Sequence, residues 1–157
     1  MNLLDIFPES RLLLDVESRD KKGAIREIMQ SLIQSDAITD DIAKKLERAV
    51  NKREAQGSTG IGKGLAIPHA KECSFLDEVV AVLARSRDGI EFNSLDGELV
   101  HLIFFIATPA DRSDSHLLIM RKIARMHRDE KTLKFFMTTN KVPSVLEILR
   151  EIDESVD

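Results

Sequence analysis

LVHLIFFIA, at Leu99–Ala107, is a nearly unbroken apolar segment rich in Ile and Phe, and EVVAVLA, at Glu78–Ala84, is a Val-rich segment earlier in the chain. Short runs of this composition are typical of strands that are buried on both faces of a sheet. Amphipathic helical patterns lie before and after them, so we predict an α/β sandwich in which helices flank a mixed sheet of parallel and antiparallel strands. We expect residues 1–157 to form a single domain.

The remaining elements are predicted from periodicity, capping residues and turn residues. A first long helix runs to Gln34 with Ser18 as its N-cap, and a second covers Thr39–Glu54. A third covers Asp114–His127 and is opened by Ser113 or Asp111. The other predicted elements are strands at Arg11–Val16 and Ile90–Phe92, turns at Asp88-Gly89 and Asp96-Gly97, and helices at Thr132–Thr138 and Pro143–Ile152.

Composition removes several classes of function. A net charge of −4 and an isoelectric point near 5.6 argue against nucleic acid as the main partner. The one cysteine excludes an internal disulfide and a cysteine-rich zinc site. There is no Trp or Tyr, which disfavours a carbohydrate groove, and we expect the pairs Phe104–Phe105 and Phe135–Phe136 to fill the core. Without a signal-peptide pattern or a long apolar run, we expect a cytoplasmic protein with no membrane insertion.

The most unusual segment is GSTGIGKGLAIPH, at Gly57–His69. It holds four of the chain's seven glycines: Gly57, Gly60, Gly62 and Gly64. It nearly matches the phosphate-binding pattern G-x-x-x-x-G-K-[ST], but a glycine stands where a hydroxyl residue must hold Mg²⁺. An extended Leu-Ala-Ile-Pro run then follows, whereas a phosphate loop must open a helix. The segment therefore predicts a loop that permits close approach of another group and fixes His69 behind a proline.

His69 is the first candidate for chemistry. The ordinary imidazole is mostly neutral at neutral pH, so it can attack phosphorus and carry a phosphoryl group. A plain surface or hydrogen-bonded histidine is the alternative on spacing alone. His116 is the second candidate, because it lies near the start of the third helix, where free N–H groups and the helix dipole favour an anion. His127 lies eleven residues further along, too far for a shared metal site, and His101 begins a strand as a structural or rim residue.

Arg53 continues the apolar stripe of the second helix, and two interpretations stay open. Either its aliphatic stem covers the edge of the core, or its guanidinium clamps a phosphate near the glycine segment. Cys73 follows His69 by four residues, but nothing in the sequence indicates an activated thiolate. Arg121, Arg125 and Arg128 share one face of the third helix, which predicts a solvated face or a dock for an acidic partner.

The run GIGKGLAIPH, at Gly60–His69, resembles the active-site signature of the mannitol/fructose class (type 2) of enzyme IIA proteins of the bacterial phosphotransferase system. The resemblance covers nearly the whole chain. It includes Arg53 sixteen residues before the histidine, the LDG-x-x-V turn at Leu95–Val100, and a His-Leu pair that opens a helix at His116. The Lys21-Lys22 helix start and the wording GSTGIGKG are most similar to the nitrogen-regulatory branch of this class.

This resemblance implies a mixed sheet flanked by helices and a phosphoryl-carrier function without metal, nucleotide or other cofactor. His69 would be the phosphorylated residue, with an HPr-like phosphohistidine carrier as donor, His116 as its active-site neighbour and Arg53 on the phosphoryl oxygens. Gly60, Gly62 and Gly64 would form the loop on the phosphate side of the site. Regulatory proteins, or a IIB domain, would be the downstream partners.

Three alternatives remain open at this point. The chain is a fructose/mannitol-type enzyme IIA that passes the phosphoryl group to a sugar-specific IIB, or a regulatory binding module whose His69 is never phosphorylated. The third alternative is a nucleotide- or metal-dependent enzyme, which predicts thermal stabilisation by Mg-nucleotide or zinc.

Overall fold

The computed structural model describes residues 1–155, in which two long helices precede a run of five strands and three helices follow it. The helices are α1 (Leu3–Ile6), α2 (Lys21–Gln34), α3 (Asp40–Ala55), α4 (Ser113–His127), α5 (Glu130–Thr138) and α6 (Val142–Ser155). The strands are β1 (Leu12–Leu13), β2 (Gly60–Gly62), β3 (Leu65–Ala66), β4 (His69–Cys73), β5 (Val80–Ile90) and β6 (Val100–Pro109).

Across residues 1–155 these strands form a six-stranded sheet in the order β1-β5-β6-β3-β2, with β4 also paired to β6. The two apolar segments form the antiparallel centre, where Val82 lies opposite Phe105 and Leu83 opposite Phe104. Strand β1 runs parallel to β5, strands β3 and β4 run parallel to β6, and β2 and β3 form an antiparallel hairpin. The predicted mixed sheet flanked by helices is confirmed.

Both faces of the two central strands are buried because each face is covered by helices. Val82 and Phe105 face the cluster formed with α2 and α3, whereas Leu83 and Phe104 face the cluster formed with α1, α4, α5 and α6. The Phe104 ring makes edge-to-face contacts with Phe7 and Phe136, at centroid distances of 5.5 and 5.9 Å. Burying each such side chain stabilises the fold by about 1.5–3 kcal/mol, which explains why the central paired segments at 80–84 and 102–107 contain no polar residue.

Two strand predictions were wrong in extent. The strand predicted at Arg11–Val16 is reduced to the two residues of β1, because a 3₁₀ turn at Glu9–Arg11 precedes it. The separate strands predicted around a turn at Asp88-Gly89 are one strand, β5, whose register with β6 is irregular between Arg85 and Ile90. Gly89 accommodates the irregularity with a φ of +94°, as in a bulge.

Three helix starts also differ from the prediction. Asp20 rather than Ser18 caps α2, because its carboxylate accepts the Gly23 N–H at 2.7 Å, while the Ser18 N–H donates to Glu27. Asp129 caps α5, which therefore begins at Glu130 instead of Thr132. The N-cap position of α4 is held by Arg112 instead of Ser113 or Asp111. Thr39 caps α3, because its hydroxyl oxygen accepts the Ile42 N–H at 3.3 Å.

The region around α5 differs from the prediction at one phenylalanine and contains a buried arginine that the sequence analysis did not single out. Phe135 is 46% exposed, so only three of the four paired phenylalanines fill the core. Adjacent residues on one helix point in different directions, and Phe136 takes the inward position. Arg85, buried in β5, donates to the carbonyls of Phe136 and Thr139 and thereby ties the end of α5 to the sheet.

Candidate active site

His69 is the first residue of β4, where it pairs with Ile106 of β6, and its ring is partly exposed. The ring nitrogen Nδ1 lies 2.8 Å from the carbonyl oxygen of Ile67. A carbonyl oxygen only accepts, so Nδ1 is the protonated nitrogen that donates in this contact. The neutral ring therefore keeps its lone pair on Nε2, which is the nucleophilic atom of the side chain.

His116 of α4 lies beside His69, with 5.5 Å between the ring centroids and an angle of 56° between the ring planes. It is buried, and its Nδ1 lies 3.1 Å from the hydroxyl oxygen of Thr108, which is also buried. His116 lies four positions after Arg112, and its main-chain N–H already donates to the Arg112 carbonyl. The side chain of His116, rather than its main-chain N–H, is therefore the group that lies beside His69.

Both histidines are kept neutral near neutral pH. Burial lowers the pKa of His69, and the charges of Arg53 and Lys71 lower it further, whereas the Ile67 carbonyl and the charge of Glu54 act in the opposite direction. Burial also lowers the pKa of His116, with smaller contributions from His69 and Lys71. A lowered pKa leaves the Nε2 lone pair of His69 available for attack at the pH of most cells.

Arg53 lies in the last turn of α3, and its guanidinium donates to the carbonyl of Gly57 at 2.8 Å. Its positive charge lowers the pKa of His69, which places it in the electrostatic surroundings of that ring. The fold thus brings two of the predicted site residues, His69 and His116, side by side, while the charge of the third, Arg53, acts on the His69 ring. Lys71, two residues after His69 on the exposed side of β4, adds a second positive charge that sequence reasoning missed.

Glu54 is a further group that the sequence analysis missed. It is only 7% exposed, and its carboxylate accepts from the main-chain N–H of Thr59 at 3.1 Å, from the Thr59 hydroxyl, and from the Lys21 ammonium at 3.1 Å. A signal was present, because Leu46, Val50 and Glu54 are spaced by four residues on the buried face of α3. An acidic residue that continues an apolar stripe needs buried partners, and here it has them.

The glycines of the Gly57–His69 segment build a hairpin. Lys63 and Gly64 connect β2 to β3 with φ angles of +57° and +77°, as a tight two-residue turn requires. A Cβ atom on Gly60 would meet the backbone of Ser94 at 3.0 Å, so only glycine fits there. A strand follows the turn where a nucleotide-binding loop would open a helix.

The predicted phosphate-side glycines are not brought to the histidine pair. Their hairpin partners Leu65 and Ala66 lie beside Leu102 and Ile103 of β6, whereas His69 lies beside Ile106. The offset of three to four strand positions corresponds to about 10–13 Å along the sheet. Gly60, Gly62 and Gly64 therefore shape the hairpin and contact the chain's own side chains.

The other predicted candidates have structural contacts. The Nε2 atom of His127 lies 3.0 Å from the Gly62 carbonyl, and Nδ1 of His101 lies 2.9 Å from the Ser86 carbonyl. Cys73 is buried, and burial raises the pKa of its thiol, which opposes thiolate formation. Within residues 1–155, no group of three or more His, Cys, Asp or Glu side chains is arranged to hold a metal ion.

The exposed surface along α4 carries both apolar and positively charged side chains. Leu117, the residue after His116, is a large apolar residue that is 61% exposed. Further along α4, Arg121, Arg125 and Arg128 are exposed, as the sequence predicted. None of the helices between residues 1 and 155 combines the length and the apolar character needed to cross a bilayer.

Comparison with known proteins finds relatives of this sequence and of this fold. The family model described as phosphoenolpyruvate-dependent sugar phosphotransferase system, EIIA 2, matches residues 5–152. The fructose-specific EIIABC component of Bacillus subtilis is 31% identical over 154 residues, which cover 98% of this chain but only 24% of that protein. The fructose-specific EIIA component of Haloferax volcanii is 30% identical over 95% of both chains. The nitrogen regulatory protein IIA-Ntr from Neisseria meningitidis has a matching structure, with a TM-score of 0.83, 28% identity, and coverage of 92% of this chain and 97% of that one.

Proposed function

Because this chain belongs to the EIIA type 2 family of the phosphoenolpyruvate-dependent sugar phosphotransferase system, we propose that it is a phosphoryl carrier that accepts the group on His69. The observation that carries the proposal is the histidine pair: a partly exposed ring whose Nδ1–H is held by the Ile67 carbonyl, 5.5 Å from a buried second ring. We take residues 1–157 as one EIIA type 2 domain that acts in the cytoplasm.

The transfer is a displacement between two histidines. The Nε2 lone pair of His69 attacks the phosphorus of a phosphohistidine on an HPr-like donor, forming the new N–P bond. The donor's N–P bond breaks, and its electron pair returns to the donor ring. The Nδ1–H of His69 stays on the Ile67 carbonyl throughout. Such a step needs positioning and charge stabilisation more than covalent help.

Three groups provide that stabilisation in our proposal. The Arg53 guanidinium contacts the phosphoryl oxygens, either in place of the Gly57 carbonyl or together with it. The Nε2 side of His116 faces the same oxygens while its Nδ1 stays hydrogen-bonded to Thr108. Lys71 adds positive charge at the exposed side. The three glycines give the hairpin its shape and take no direct part. No step assigned to these residues uses a bound cofactor.

The exposed Leu117, next to His116 in the sequence, fits an interface with a protein partner that excludes water during the transfer. An HPr-like donor is the proposed first partner. For the acceptor we propose regulatory proteins, in keeping with a relative that is named a nitrogen regulatory protein. The two fructose-specific relatives favour a sugar-specific IIB domain as the second candidate.

The carrier function is tested by mixing the purified protein with phosphoenolpyruvate, enzyme I and an HPr-type carrier, and recording its intact mass. We expect one added phosphoryl group that is labile in acid and is absent from His69→Ala. A chain that gains no mass from sugar-type or nitrogen-type donors, while remaining folded, would leave the regulatory binding module as the better account. Onward transfer to a fructose-type IIB separates the sugar function from the regulatory one.

A further inference from the structure

Glu54 has no part in the transfer described above, yet it is among the most deeply buried charged groups of the described chain. Its side chain is 4% exposed, and burial of an unpaired carboxylate costs several kcal/mol. The protein offsets this cost with donors from two separate elements, Thr59 beyond the end of α3 and Lys21 at the start of α2. Lys21 is itself placed over the Phe92 ring, 4.9 Å from its centroid.

Hydrogen bonds continue from Glu54 to the histidine. The carboxylate holds both the N–H and the hydroxyl of Thr59. The Thr59 carbonyl accepts the Ile67 N–H at 3.0 Å, and the Ile67 carbonyl accepts the Nδ1–H of His69 at 2.8 Å. One residue earlier in the chain, Arg53 holds the same connecting segment at Gly57. The carbonyl that sets the tautomer of His69 is thus anchored, through Thr59, on a buried negative charge.

We propose that Glu54 is a positioning residue for His69, acting through Thr59 and the Ile67 carbonyl to hold the ring with its proton on Nδ1 and its lone pair on Nε2. The carboxylate fixes the position of Thr59, and the Thr59 carbonyl holds the Ile67 N–H, so the placement of the Ile67 carbonyl that receives the Nδ1–H depends on the buried charge. The charge of Glu54 also raises the pKa of His69 and partly offsets the effect of burial. The proposal rests on His69 as the phosphoryl acceptor, but its first test requires no phosphorylation.

The test uses protein labelled with ¹⁵N in its histidine rings, in which NMR reports the tautomer and the pKa of His69 directly. In Glu54→Gln, we expect a smaller fraction of the Nδ1–H tautomer and a lower pKa than in the wild type. Glu54→Asp keeps the carboxylate and should recover part of both. Thr59→Val keeps the side-chain shape but removes the hydroxyl donor, and like Glu54→Gln it should reduce the fraction of the Nδ1–H tautomer. Glu98→Gln, an exposed site in the turn before β6, is the charge-matched control.

Phosphoryl transfer is the second readout. Loss of ring alignment in Glu54→Gln should slow phosphorylation of His69 by about 10–100-fold, while Glu98→Gln keeps the wild-type rate. A folded Glu54→Gln protein with unchanged tautomer and pKa would overturn the proposal and leave Glu54 with a structural role alone. Should Glu54→Gln fail to fold, an unchanged tautomer in Thr59→Val would overturn it in the same way. If the wild type is never phosphorylated but its tautomer depends on Glu54, the positioning role stands and the carrier function fails.

Discussion

Replacement of His116 by alanine separates its part in transfer from its part in the fold. The buried ring lies 5.5 Å from His69 and pairs with the Thr108 hydroxyl, so its removal takes away one group facing the phosphoryl oxygens and leaves that hydroxyl unpaired. Loss of one preorganised donor from a site of developing charge slows reactions by about 10²–10³-fold. We expect a decrease of this size in the rate of phosphorylation of His69.

The same substitution should affect the stability of the fold less than it affects the transfer rate. An unpaired buried hydroxyl costs about 1–3 kcal/mol, and a chain of this length loses roughly 2–4 °C in Tm for each kcal/mol. The expected decrease in Tm is therefore about 2–12 °C, measured by circular dichroism, which leaves the protein folded at the assay temperature. Rapid-quench mass analysis gives the transfer rate, and His116→Gln, which keeps a side-chain donor, should recover part of it. A wild-type rate in folded His116→Ala would remove His116 from the site.

Other predictions follow from the same structure. Because the pKa of His69 is lowered, the phosphorylation rate should rise with pH and level off below the ordinary midpoint of 6.5, and the contribution of His69 to stability should be complete above pH 6.5 and decrease as the pH falls toward the lowered pKa, where the unfolded chain binds more protons. The pH profiles of rate and Tm check both, and a midpoint at or above 6.5 would contradict the burial argument. Asp153→Asn should lower the free energy of unfolding by about 3–5 kcal/mol, because it leaves the buried Lys122 ammonium without its carboxylate, and urea denaturation measures this. Gly60→Ala should destabilise by about 1–3 kcal/mol, because its Cβ would overlap Ser94, and a Tm equal to that of the wild type would show that the hairpin adjusts freely.

The layout of the sheet was predictable because burial dictates composition. Segments buried on both faces must be apolar throughout, and β5 and β6 were therefore visible as segments of sequence. Short elements were not predictable in the same way. The strand expected at Arg11–Val16 has suitable residues, but only Leu12 and Leu13 pair with β5, because the chain enters from a 3₁₀ turn that no local pattern predicted.

The histidine pair was predictable only in part. His69 stood out through the glycine segment and its proline, and Arg53 through its place on an apolar stripe. The proximity of His69 to His116 depends on β4 pairing with the end of β6 next to the start of α4, which no local pattern specifies. Glu54 was missed because a single acidic residue in a helix is ordinarily solvated, and its donors come from Thr59 and from a different helix.

The glycine spacing shows how a motif can be correct as a signature and misleading about contact. The sequence suggested a loop against the phosphoryl group, whereas the glycines permit a tight turn at Lys63 and close packing at Ser94. Their effect on His69 is indirect, because the hairpin they allow carries Thr59 into register with Ile67.

The central claim is that Nε2 of His69 carries the phosphoryl group, and ¹⁵N NMR of the histidine rings in the phosphorylated protein tests it most directly. The account predicts a single phosphohistidine, at His69, with phosphorus on Nε2 and the proton still on Nδ1 beside the Ile67 carbonyl. Phosphorus on Nδ1, or on any other residue while His69 keeps its free-ring spectrum, would contradict it.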